Sequence, residues 1–225
     1  MNPHDIHVDA ERLREGDQHL AALHRYDDAI AGYQQGKNYA GIVEALQGKF
    51  LTYKHLYLLT RDEIYLLFCE TIAQTSLSAA ERYHIDQLGS IYFRFGELSV
   101  MLGKYDQAEV FYAKAIDNHR GIPAEKGDYR YHRGEAVYRS GRKDEGKRLM
   151  LEGLAEIRKY AEGADQFLIH TWESGCCLRL ADLLREDSPE EARRYLEEAR
   201  GIIDSDERLV IRRRQFAELK KNLNL

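Results

Sequence analysis

Gly103-Lys104-Tyr105-Asp106-Gln107-Ala108-Glu109-Val110-Phe111-Tyr112-Ala113-Lys114-Ala115 is the stretch that decides the fold. A Gly-Lys-Tyr turn leads into a segment with Ala108 as an anchor, an aromatic four residues later and a second alanine seven residues later. That spacing puts all three on one helix face. Small residues there let a second helix approach closely, and the aromatic fills the space between them. Arg25-Tyr26-Asp27-Asp28-Ala29-Ile30-Ala31-Gly32-Tyr33, continued to Gly36, has the same layout.

Working outward, the pattern returns with anchors at Ala29, Ala108, Gly146 and Ala192, separated by 79, 38 and 46 residues. The matching faces are Gly32, Tyr33, Gly36; Phe111, Tyr112, Ala115; Leu149, Met150, Gly153; and Tyr195, Leu196, Ala199. Seventy-nine is about two periods, so one unit is expected between Ala29 and Ala108, with Ile64–Cys69 as its apolar segment. Recurrence at such a period is the signature of a repeat architecture. About five helix pairs are expected, followed by a final helix over 206–222.

Punctuation agrees with this count. Gly103 and Gly141 fall between paired helices, where glycine takes positive φ at little cost. Ser188-Pro189 suits a helix start. Thr60-Arg61-Asp62-Glu63 and Ser78-Ala79-Ala80-Glu81 read as capping boxes. No linker-like segment interrupts the 225 residues, so one array over 1–225 is expected.

Composition narrows the class. Apolar content is 44%, charged content 32% and proline only three residues, which favours helix over sheet. A net charge of −5 gives no broad attraction to nucleic acid or anionic lipid. No apolar run approaches the roughly 18 residues of a membrane helix, and the N-terminal segment lacks the features of a secretory signal. Cys69, Cys176 and Cys177 do not read as a disulfide framework. A cytoplasmic protein is the expectation.

These residues resemble the tetratricopeptide repeat family. Phe95-Gly96 with Gly103, Tyr105, Ala108, Tyr112 and Ala115 carries the resemblance best. Arg133-Gly134, Gly141, Gly146, Met150 and Gly153 follow it, as do Leu180-Ala181, Pro189, Ala192, Leu196 and Ala199. The best-matched repeats cover about 89–160 and 173–203, and degenerate ones about 10–88. The units exceed the family's usual length and look like those of bacterial peptide-responsive regulators. The resemblance implies a right-handed superhelix whose first helices line a concave groove that holds a peptide or protein segment.

On the first helices, Ser90, Phe93, Glu97, Val100 and Met101 share a face, and Asp128, Tyr131, Glu135, Tyr138 and Arg139 correspond to them. Phe93, Glu97, Met101, Tyr131, Glu135, Tyr138 and Arg139 are the candidate contacts. Aromatics and arginine are frequent interface anchors, although an apolar stripe at helical spacing also reads as core. Phe93 and Glu97, with Tyr131 and Glu135, stand where family members that grip chaperone carboxylates carry Lys and Asn. That clamp is absent, and the two glutamates point to a basic or amphipathic partner.

Enzyme chemistry finds little support. There is no phosphate loop, dinucleotide fingerprint or zinc-protease helix motif. The nine histidines are scattered, with no two four apart, so no helical metal pair is offered. A non-catalytic binding scaffold without cofactor or metal is expected. A peptide-responsive regulator and a self-assembling adaptor are the alternatives. A basic-aromatic patch over Arg130–Arg139 is a weak nucleic-acid signal beside Asp128 and Glu135.

Overall fold

The computed structural model describes residues 2–222, and all eleven of their regular elements are α-helices. They are α1 (Pro3–Glu15), α2 (His19–Gln35), α3 (Tyr39–Thr60), α4 (Ile64–Tyr83), α5 (Leu88–Met101), α6 (Tyr105–Asp117), α7 (Pro123–Arg139), α8 (Lys143–Lys159), α9 (Gln166–Leu184), α10 (Pro189–Ser205) and α11 (Val210–Asn222). Packing gathers them into two compact units, Met1–Arg120 and Gly121–Leu225.

Unit 1 holds three helix hairpins, α1/α2, α3/α4 and α5/α6. Within it α2 touches α3 and α4 touches α5, and the first helices also touch in line, α1 to α3 and α3 to α5. Unit 2 repeats this order. It holds the hairpins α7/α8 and α9/α10 and then α11, with α7 touching α9 and α9 touching α11. The interval expected to hide a pair contains α3 and α4, and Ile64–Cys69 opens α4. All four anchors, Ala29, Ala108, Gly146 and Ala192, are buried.

The turns share one backbone solution. Asp17, Lys37, His84, Gly103 and Gly141 all take positive φ. The next residue's N–H then reaches back five positions: Gln18 to Leu13, Asn38 to Tyr33, Ile85 to Ala80, Lys104 to Ser99 and Arg142 to Val137, at 2.8–3.3 Å. This is the helix-ending αL turn that satisfies orphan carbonyls. Glycine announces only two of the five, because the other three positions force an ordinary side chain into the left-handed region.

Neither expected capping box forms. Thr60 ends α3 and its hydroxyl donates to the Leu56 carbonyl, while Asp62 Oδ1 accepts the Ile64 N–H at 3.1 Å. Ser78 lies inside α4 and donates to the Gln74 carbonyl. Apolar burial through Ile72, Ala73 and Ala80 carries α4 past the sequence's stop-and-start signal.

The cores follow the hairpins. Tyr26, Tyr33, Ala10, Ala22, Ala29 and Ala45 close one cluster at the N-terminal end of unit 1. Phe50, Leu66, Cys69, Ile72, Ala73 and Leu98 form another around α4. In unit 2 one large core runs from Ala124 to Leu219 and includes Tyr131, Tyr138, Met150, Cys176 and Cys177. Burial pushes the Cys69 and Cys177 thiols up to about 12, and Cys176 well above the ordinary thiol range. Thiols held protonated in this way serve as core.

Candidate functional site

The candidate residues lie on the first helices, in the two units, and each unit builds its own centre around one buried glutamate. In unit 1, α3 and α5 run side by side, so Lys54 of α3 reaches Glu97 of α5 at 2.5 Å. Arg94, one turn before Glu97 on α5, also donates to it at 2.5 Å. The Arg94 guanidinium sits over Phe93 at 5.2 Å and Phe50 at 5.9 Å. Stacking on aromatic faces lets it keep its charge in partly dry surroundings. Glu97 itself is 6% exposed.

In unit 2, Glu135 of α7 is 2% exposed. It accepts from Arg139 Nε at 2.9 Å and lies 3.3 Å from Arg179 Nε of α9. Burial by itself would raise its carboxyl pKa, but Arg179, Arg139 and His132 outweigh that and hold it below the usual glutamate range. Arg139 also reaches Asp182 of α9 at 3.5 Å. Tyr138 sends its hydroxyl to α9 and the turn after it, 3.2 Å from the Leu183 carbonyl and 3.0 Å from the Asp187 carboxylate. Tyr131 stacks on His132 at 4.2 Å within the core of unit 2.

The structure therefore buries Phe93, Glu97, Tyr131, Glu135 and Tyr138, and leaves Met101 and Arg139 partly exposed. Met101 packs on the Phe50–Leu98 cluster. The glutamates were expected to meet a ligand as bare acceptors and to attract a basic segment. Each instead carries two cations from the same unit, so its charge is already spent inside the fold. That expectation loses its physical basis, because a buried carboxylate with two close cations adds no net negative field.

Sequence reasoning missed the two partners, Lys54 and Arg179. A signal for them existed. Bonds that join neighbouring hairpins recur at sequence separations of 43 to 45: Lys54 to Glu97, Glu44 to Gln87, Arg139 to Asp182, Tyr138 to Leu183, Lys143 to Asp187 and Lys147 to Glu191. Stepping one such period from Glu97 and Glu135 finds both. The anchor spacings were too uneven to give that step.

Elsewhere the surface offers less. A shallow depression of about 450 Å³ lies along the outer side of α8, lined by Asp144, Lys147, Arg148, Leu151, Glu152 and Ala155. Its lining comes from one helix, where Lys147 pairs with Glu191 and Arg148 with Glu152. Among the described residues no group of three or more His, Cys, Asp or Glu is placed to hold a metal ion. No described helix is long and apolar enough to cross a membrane.

Neither a scan against protein-family models nor a search of curated protein sequences finds a match to this chain.

Proposed function

We infer that the chain is a non-catalytic scaffold that holds a peptide or protein segment along the first-helix faces of its stacked hairpins, as tetratricopeptide repeats do. The observation that carries this reading is the line of first helices in each unit, cross-linked one repeat apart by Lys54–Glu97 and by Glu135–Arg179. Such a line is rigid where it is bonded and can present side chains at a fixed interval. Arg139, 27% exposed at its side chain, and Met101 are the contacts that reach the surface. The buried aromatics set their positions. Each unit then offers its own surface contact, apolar burial beside Met101 in unit 1 and, in unit 2, the outer face of the Arg139 guanidinium that Glu135 and Asp182 hold in place.

The test is a display library of short random peptides selected on the intact chain. Enriched peptides are remeasured on Met101→Glu and on Arg139→Glu, with circular dichroism confirming that each variant keeps its helices. A loss of about tenfold or more in affinity on either variant, ~1.4 kcal/mol, supports the reading. No enrichment, or peptides that bind both variants unchanged, contradicts it.

A further inference from the structure

Arg212 of α11 is bonded to neutral oxygens. Its Nε donates to the Thr171 carbonyl of α9 at 3.1 Å, and a terminal nitrogen donates to Gln215 Oε1 at 2.7 Å. Elsewhere in unit 2, Arg130 pairs with Glu156, Arg139 with Glu135 and Arg158 with Glu173. Arg213 also bonds carbonyls, but those of Ile203 and Asp206 close the end of α10, where the helix dipole answers a cation. The Thr171 carbonyl lies inside α9 and offers no such field. Charge-assisted bonds to an anion are the stronger ones open to Arg212.

The other terminal nitrogen of Arg212 lies over Gly175. A Cβ there would be 2.7 Å from that nitrogen and 3.0 Å from the Tyr131 hydroxyl of α7. The glycine is what lets the guanidinium settle against α9. Beside it, Thr171 Oγ1 is buried with no hydrogen-bond partner among the described residues. Arg179 stands one turn past Gly175 on the same face of α9, and it shares Glu135 with Arg139 of α7. Three helices thus contribute one guanidinium each to a row.

The row is layered. Glu135 and Asp128 lie beneath, with side chains 3% and 7% exposed, whereas Arg179 is 41% and Arg139 27% exposed. Asp182, an acid at the surface, is reached by both Arg139 and Arg185. Glu218 of α11 is exposed six positions past Arg212, about 240° round the helix and so off this side. Solvent therefore meets mainly guanidinium, which carries donors and no acceptor. A ligand that fits must supply the acceptors.

We propose that this row takes an acidic protein segment, with internal Asp or Glu side chains settling on Arg212 and Arg179. The proposal rests on the binding function inferred above and names the partner's chemistry. A chain that carries −5 repels such a segment elsewhere, so the row decides where it lands. Glu186 and Asp187, exposed past the end of α9, set its limit. A nucleic-acid strand would run its uniform charge onto them. A protein segment can carry acids at the arginines and none beyond.

The random-peptide selection on the intact chain tests this once enriched peptides are sequenced and resynthesised with amidated C-termini, so that only side-chain carboxylates can answer. The expected peptides are rich in Asp and Glu, and lose about tenfold in affinity when those acids become Asn and Gln. Arg212→Gln and Arg179→Gln are each expected to weaken them about fivefold or more. Arg148→Gln, at an exposed site on α8, is expected to leave them unchanged. Circular dichroism checks the helices of each variant. Binding to the unaltered chain should also weaken between about 50 and about 200 mM salt, a readout that needs no variant. Neutral or basic peptides that still respond to Met101→Glu or Arg139→Glu would overturn this proposal and leave the binding function standing. Acidic peptides indifferent to Arg212→Gln or to Arg179→Gln, affinity indifferent to salt, or a labelled single-stranded oligonucleotide that binds more tightly than the peptides would also overturn it. No enrichment at all would remove both.

Discussion

The α5/α6 and α7/α8 hairpins answer the same sequence pattern in two different ways. Both set a glycine of the first helix, Gly96 or Gly134, against the position four residues past the anchor, Tyr112 or Met150. In α5/α6 the space is filled by an aromatic ring: a Cβ on Gly96 would lie 2.5 Å from Tyr112 Cε1. In α7/α8 glycines let backbone meet backbone. A Cβ on Gly127 would lie 2.6 Å from the Gly153 carbonyl, and one on Gly153 would lie 2.6 Å from the Gly127 carbonyl and 2.7 Å from the Tyr131 nitrogen. A Cβ on Gly134 would lie 2.7 Å from both the Gly146 carbonyl and the Met150 nitrogen. A ring can shift or be trimmed, whereas a backbone held in two helices has nowhere to go.

The largest effect should therefore come from α7/α8. Gly153→Val is expected to destabilise unit 2 by about 3 kcal/mol or more, the upper end of overpacking costs, read as a fall in the urea midpoint. Trimming Tyr131 should not rescue it, because the clashing atoms are main-chain. Gly96→Ala should cost less, about 1–2 kcal/mol. Adding Tyr112→Leu should recover part of that loss by removing the ring that is struck. Equal costs at the two glycines, or rescue at Gly153 by a side-chain change, would erase the distinction.

The two glutamate centres extend the comparison. The cations on Glu97 are the more buried, with side-chain exposures of 19% for Lys54 and 15% for Arg94. Those on Glu135 are 27% for Arg139 and 41% for Arg179. Removing a buried carboxylate costs in proportion to how dry its partners are left. Glu97→Ala is thus expected to cost about 3–5 kcal/mol and Glu135→Ala less, measured by denaturant unfolding of each variant.

Acid should weaken the N-terminal hairpin. Burial alone would raise the Glu11 carboxyl, but Arg14, His7 and Tyr26 together hold it at about 2 against an ordinary 4.5. A folded-state pKa below the unfolded one stabilises the fold above the ordinary value. That contribution fades as pH falls from 4.5 toward 2. The stability gap between the unaltered chain and Glu11→Gln should be constant above that window and close within it. The Glu11 side chain is 38% exposed, so solvent screens the gap and it should be modest. The smallest effect belongs to Lys37, exposed in the turn between α2 and α3 at φ 52, the left-handed conformation that Gly103 takes at φ 70 between α5 and α6. Lys37→Gly is expected to raise stability by up to about 1 kcal/mol, read as a higher melting temperature.

Much of the fold was legible, because small residues at helix crossings leave a periodic mark that polar surface variation does not erase. Ala29, Ala108, Gly146 and Ala192 carried that mark, and the pair hidden between the first two was found by arithmetic alone. The site was less legible. Tyr131, Tyr138 and Phe93 looked available because a helix face shows which residues point together, not which neighbour covers them. Glu97 and Glu135 looked bare because Lys54 and Arg179 lie a full repeat away in sequence. The boxes at Thr60 and Ser78 failed because local capping signals gave way to the continuous apolar face of α4 and to the Asp62 cap.

The claim beneath all of this is that, within each unit, adjacent hairpins are locked along their first helices one repeat apart. A double-mutant cycle on Glu135→Gln and Arg179→Gln tests it most directly, since the two residues share no helix. The predicted result is a coupling energy of about 1 kcal/mol or more between α7 and α9. Costs that simply add, within about 0.3 kcal/mol, would contradict it.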